Sequence, residues 1–185
     1  MRFPVSDYRG CKSFDVILPL VCNAKTSQGN REFAKTPNHV IFSHTLEKSC
    51  YKLFDCCKIV QDLQSYHVDV LDWPDIGFNF LIGNDGRVYV GRGWNKISQF
   101  SHDFNEKSLS VAFIGNFFDT PPGPMALNTA RNLIDCAVVK GYLVPNYTLH
   151  MLEDIECTAN PAPGLKKKIQ HWLHYKEKIP SYLQC

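Results

Sequence analysis

The sequence has no apolar run approaching the roughly 18 residues that would span a bilayer. Its N-terminal stretch carries Asp7, Arg9 and Asp15 where a signal peptide needs an unbroken apolar segment, so the expectation is a mature chain or an ectodomain fragment without its leader or anchor. It also lacks an excess of charge. Lys plus Arg total 20 against 18 for Asp plus Glu, and a net charge of +2 excludes the basic stripe of a nucleic-acid binder. There are no internal repeats and no low-complexity linker, and 185 residues that are 44% hydrophobic suit one domain with one sizeable core. No two cysteines show Cys-x-x-Cys spacing, which argues against a cytosolic zinc module. Cysteine itself is abundant. There are eight, at positions 11, 22, 50, 56, 57, 136, 157 and 185, an even count that points to disulfides and an oxidising, extracellular compartment. Asn146-Tyr147-Thr148 is a glycosylation sequon that fits secretion.

Residues 1–37 mix Pro, Gly, Ser and charge, apart from the run Val16-Ile17-Leu18-Pro19-Leu20, and read as an irregular segment wrapped on a domain spanning 38–185. His39 to His44 is rich in β-branched and apolar residues and reads as a buried strand. Leu53, Cys57, Val60, Leu63 and His67 recur at helical spacing. Phe78 to Ile82 and Val88 to Val90 flank Gly83-Asn84-Asp85-Gly86, a hairpin pattern in which Asp-Gly supplies positive φ. Leu109 to Ile114 reads as another buried strand. A helix opening at Pro124 has Leu127, Ala130, Leu133, Ile134, Ala137 and Val138 on one face and stops at Gly141. A third helix is expected to carry Leu165, Ile169, Trp172 and Leu173, with Lys166 to Lys168 on its solvated face. Strands alternating with three helices predict an α/β sandwich built on a mixed central sheet.

The ungapped stretch from Asp75 to Trp94 resembles the peptidoglycan recognition proteins of animal innate immunity. The resemblance continues through Ser43-His44-Thr45, Leu109 to Phe117, Gly141-Tyr142-Leu143, His150 and Pro163-Gly164-Leu165, covering about residues 38–175. It implies a central sheet with three helices and a groove for the stem peptide and sugar of bacterial cell wall. Enzymatic members of that family are zinc amidases that cut between muramic acid and the first alanine. Such a zinc needs three protein ligands and an open position for water.

Three of the four catalytic positions are altered here. Ser43 stands where the family has its first zinc histidine, and His44 beside it points to the other face of the strand unless a bulge intervenes. His150 matches the second ligand, and Ala162 replaces the cysteine ligand in a loop four residues longer than the family spacing. Cys157 is an alternative sulfur if that loop folds unusually. Phe78 replaces a tyrosine whose hydroxyl supports the attacked carbonyl. The expectation is therefore no enzyme activity, no metal and no cofactor. The resemblance also pairs Cys50 with Cys56 and relates Cys136 to an N-terminal cysteine.

The groove positions implied by the family are His44, Thr45, His67, Asp72, Trp73, Phe78, Arg92, Trp94, Phe100 and His150. His150 suits a hydrogen-bonded structural role better than a ligand role, His44 and His67 suit the core edge as well as the groove, and Trp94 suits a packing anchor. Arg92 in Gly91-Arg92-Gly93-Trp94 matches the arginine of members that prefer diaminopimelate-type stems, whereas Asp72 replaces their glycine and Phe100 a groove histidine. The expected function is non-catalytic, weak recognition of diaminopimelate-type peptidoglycan, outside the cell, as a secreted protein or membrane ectodomain. The alternative is a degenerate groove acting by pairing with another receptor of the family.

Overall fold

The computed structural model describes residues 8, 11, 14–27, 29–158 and 160–177. Six strands, β1 (Val16–Ile17), β2 (His39–His44), β3 (Phe80–Ile82), β4 (Val88–Val90), β5 (Ser108–Phe113) and β6 (Thr148–Met151), form one sheet in the order β1-β4-β3-β5-β2-β6. Only β3 and β4 pair antiparallel, joined by the predicted hairpin. Its turn closes with Gly86 N–H donating to the Gly83 carbonyl at 3.0 Å, and Gly86 takes the positive φ of 77°. Val16 and Ile17 are thus a parallel edge strand on β4, not part of an irregular segment. Two residues pairing with a distant strand leave no local pattern to read.

Side-chain alternation gives the sheet two unlike faces. Val40, Phe42, Phe80, Ile82, Val88, Val90, Leu109, Val111, Phe113, Leu149 and Met151 form one continuous core under α2 (Pro124–Val139) and α4 (Pro163–Ile169). Each such large side chain contributes roughly 1.5–3 kcal/mol by leaving water. α2 begins at Pro124 as predicted and buries Ala130, Leu133, Ile134 and Ala137. On the opposite face α1 (Leu53–Ser65) packs Cys56, Cys57 and Val60 on Leu81, Tyr89 and Ala112. Leu53, expected on the buried face of that helix, is 37% exposed.

The third predicted helix is shorter than its periodicity suggested. α4 ends at Ile169, and the chain then turns through His174 at φ 70° so that Tyr175 bridges Leu149. Leu149 N–H donates to the His174 carbonyl at 2.9 Å, satisfying backbone at the free side of β6. Trp172 still reaches the core, edge-on to Phe42, but Leu173 is exposed. The remaining short helix, α3 (Leu152–Ile155), follows β6 directly.

Three disulfides between described residues brace this frame. Cys50–Cys56 is the pair implied by the family, Cys11–Cys136 joins the N-terminal segment to α2, and Cys22–Cys57, which the sequence left open, fastens residues 19–22 to α1. Their separations of 6, 125 and 35 residues correspond to about 2, 5 and 4 kcal/mol of unfolded-state loop entropy, respectively. Cys157 is also disulfide-bonded, while the pairing of Cys185 lies outside the described residues.

Candidate functional site

The side of the sheet away from α2 carries two adjoining clusters of aromatic and polar side chains. The first grows from the end of α1, where a π-helical turn, Tyr66–Val70, displaces the helical phase and leaves His67 buried. Trp73 lies 4.7 Å from the His67 ring, Phe78 lies 5.9 Å beyond it and Phe100 a further 5.7 Å. Gly77 makes room for this row, because a Cβ there would stand 2.6 Å from the Trp73 ring. Gly77 N–H donates to His67 Nδ1 at 2.9 Å, which fixes the neutral ring with its proton on Nε2. Burial, reinforced by the Arg92 charge, lowers the His67 pKa to about 4.

The second cluster centres on β2 and β6. His150 stands opposite Ile41, with His39 5.5 Å away and Phe104 edge-on to His39 at 5.2 Å. Phe100 packs on Ile41, Phe104 and Ile155, so the two clusters are continuous. Because a carbonyl only accepts, the 3.0 Å contact of His150 Nδ1 with the Lys176 carbonyl places the proton on Nδ1. The Nε2 lone pair is then buried without a protein partner. Burial lowers the His150 pKa; His39 falls to about 4 through burial, then His150, then Lys107. Ser43, two residues along β2 from Ile41, shares this face, and its buried hydroxyl also lacks a protein partner. Ala162 lies elsewhere, in the core under α2, where its N–H donates to Glu153.

His67, Trp73, Phe78, Phe100 and His150 lie in these two clusters, and the other five expected positions stand apart from them or at their edge. His44 faces away from Ser43, as strand alternation requires, and its Nδ1 accepts the Phe117 N–H at 2.9 Å. Thr45 uses its hydroxyl to accept the Gly115 N–H. Trp94 is a core residue on the α2 side, 4.3 Å from Phe80 and stacked on Tyr142 at 5.1 Å. Arg92 is 3% exposed and turns inward: Nε donates to the Ile76 carbonyl at 2.6 Å, Nη1 to Ile97, and Nη2 to Asp75 and to Gln99 Oε1 at 3.2 Å. Burial lowers its pKa to about 10. Of these acceptors only Gln99 is a side chain able to swing away. Asp72 is exposed beside Trp73 in a left-handed conformation, φ 55°, which aspartate tolerates better than most residues and glycine best of all.

Sequence reasoning missed the polar frame beneath these clusters. Asn79 is fully buried; its amide donates to the Gly93 and Lys96 carbonyls while its Oδ1 accepts from Ser110 N–H and Oγ. Gln64 joins Asp75 Oδ1 to the Lys25 carbonyl, anchoring the N-terminal segment behind the aromatic row. The only available signal was the alternation of His39 and Ser43 with Val40 and Phe42, which places polar atoms on a strand face expected to be dry.

A mixed sheet with helices on both faces, one of which also carries adjoining aromatic and polar clusters, is the architecture of an amidase-like α/β domain. The family described as N-acetylmuramoyl-L-alanine amidase matches residues 33–169. Peptidoglycan recognition protein 1 of Bos indicus is 37% identical over 154 residues, 83% of this chain and 81% of its own length. Peptidoglycan recognition protein 3 of Mus musculus is 43% identical over 137 residues, 74% of this chain, which spans only 40% of that longer protein. Human PGRP-Iβ C in complex with glycosamyl muramyl pentapeptide superposes with a TM-score of 0.84 at 35% identity, covering 88% of this chain and 98% of that one. PGRP-LE in complex with tracheal cytotoxin, a monomeric diaminopimelic acid-type peptidoglycan, gives 0.85 at 31%, covering 88% and 96%. PGRP-LCa and PGRP-LCx, as an ectodomain complex with tracheal cytotoxin, give 0.85 at 30%, covering 88% and 99%. The chain belongs to the amidase family, in its peptidoglycan recognition protein branch.

Proposed function

We propose that this protein is a non-catalytic peptidoglycan recognition domain of innate immunity, acting outside the cell as a secreted protein or membrane ectodomain. The observation that carries the reading is the donor set of the second cluster: a serine hydroxyl and a histidine Nε2 on one strand face, with Ala162 supplying a methyl group in another core. A hydroxyl and one imidazole do not fit a hydrolytic zinc, which needs three donors. Among the described residues no three His, Cys, Asp or Glu stand close enough to hold a metal, and Cys157 is tied in a disulfide. Phe78 offers the aromatic row a ring and no hydroxyl. Metal analysis and a cell-wall turbidity assay test this. Stoichiometric zinc with chelator-sensitive lysis overturns it.

The ligand we favour is the diaminopimelate-type stem, held weakly along Trp73, His67, Phe78 and Phe100. Arg92 reaches its extra carboxylate only by exchanging Gln99 for the ligand, so part of a charge-assisted bond of about 1.5–3 kcal/mol is spent on breaking an internal one. We expect dissociation constants of about tens of micromolar or above, near −6 kcal/mol. Calorimetry with diaminopimelate-type and lysine-type muropeptides decides it, and Asp72→Gly and Gln99→Ala are both expected to tighten the former. Submicromolar binding, or preference for the lysine type, sinks the reading. The inward commitment of Arg92 also favours a second reading, a regulatory module that pairs with another receptor of its family, as LCa and LCx do in their complex. No muropeptide binding in calorimetry, together with association with a family receptor, supports that alternative.

A further inference from the structure

We propose that Asn146 carries an N-linked glycan that covers the cleft beside β6 and leaves the aromatic row open. Asn146-Tyr147-Thr148 is the only Asn-x-Ser/Thr triplet in the chain. Its geometry is that of an acceptor presented by a preset turn. Pro145 fixes φ at the second position of a β-turn closed by Tyr147 N–H on the Val144 carbonyl at 3.2 Å, which puts Asn146 at the exposed third position. The flanking residues hold that turn from below. Tyr147 stacks on His174 at 4.3 Å, and Thr148 enters β6 with its hydroxyl on His39 Nδ1. The folded protein thus uses Tyr147 and Thr148 internally while the Asn146 amide makes no hydrogen bond among the described residues.

A second observation says where the sugar goes. Asn146 lines an open cleft of about 900 Å³ between residues 31–38 and the 103–107 loop, walled by Arg31, Glu32, Lys35, Asn38 and Lys107. A polar wall of mixed charge accommodates sugar hydroxyls, and none of Trp73, His67, Phe78 or Phe100 lines it. The disulfides place folding in the oxidising compartment where the modification occurs. Because Thr148 is engaged in the fold, transfer takes place on the unfolded chain, and the fold only has to tolerate the product. The donor is a lipid-diphosphate-linked oligosaccharide. Asn146 Nδ2 attacks the anomeric carbon of the first sugar, the bond from that carbon to the diphosphate breaks, the lipid diphosphate leaves, and the amide nitrogen loses one proton.

The test is expression of the whole chain behind a secretion leader in a glycosylating eukaryotic cell, with glycopeptide mapping of the secreted protein. Wild type and Thr148→Ser, which keeps both sequon and hydroxyl, are expected to carry glycan at position 146 on most chains, and Asn146→Gln is expected to lose the mass and remain secreted. Muropeptide titration before and after enzymatic deglycosylation is expected to give the same affinity. An unmodified Asn146 peptide dominating the secreted wild type overturns the proposal, as does a change in muropeptide affinity on deglycosylation.

Discussion

The two faces of the sheet obey different rules. Under α2, every inward side chain from β2 to β6 is apolar except His44 at the strand end, and aromatic rings fill the space. On the other face the same strands present His39, Ser43, Ser108, Ser110, Thr148 and His150, and apolar packing is confined to the half under α1 and a small cluster around Ile41. The proposed binding chemistry lies on the face with less close apolar packing. Stability should therefore depend on volume on one side and on polar satisfaction on the other.

The largest expected effect breaks the apolar face. Phe80→Ala leaves a cavity among Trp94, Val111 and Leu133 and should lower unfolding free energy by about 3–5 kcal/mol, read from denaturant midpoints with unchanged slope. On the polar face, Asn79→Ala removes little volume but strands the Gly93 and Lys96 carbonyls and Ser110 N–H, and should lower it by about 3 kcal/mol. Asn79→Leu, of similar size and greater apolarity, should not rescue it. If it does, volume governs both faces.

Acid should act mainly on the polar face. His39 and His67 have pKa values of about 4 in the fold, below the ordinary 6.5, so the unfolded chain takes up protons first. Stability is full above pH 6.5 and falls as pH drops towards 4, by about 1–3 kcal/mol for the pair. The raised carboxyls of Glu153 and Glu156 oppose this, since they favour the folded state at low pH and lose that contribution as pH rises. Denaturation at pH 7 and pH 4.5 measures the difference, and His67→Gln should flatten it. The smallest effect sharpens the comparison: Ser43→Ala deletes a buried hydroxyl with no protein partner and should leave stability within about 0.5 kcal/mol or raise it. A loss above 1 kcal/mol would mean that Ser43 bonds within the fold.

Period and punctuation made β2, β5, the β3–β4 hairpin and α2 legible, because each element's own burial pattern decides it. Alternation also places Ser43 and His44 on opposite faces. The same reading suited Trp94 to a packing anchor but did not show that Trp73 and Trp94 lie on opposite sides of the sheet. Nor could it tell that Arg92 is held by carbonyls 76, 97 and 75, since a guanidinium is equally at home on a ligand carboxylate.

By itself, then, the sequence determined most of the secondary elements, the abundance of cysteine and the identity of residues 43, 150 and 162, all of which are properties of residue type and short spacing. The tertiary structure alone decided that residues 16–17 become a strand, that α4 stops short so Tyr175 can bridge β6, that Cys22 meets Cys57, and that Arg92 faces inward. Each of these is settled by a partner many residues away. Closing such contacts depends on the whole chain's packing and loop entropy, which no local window contains.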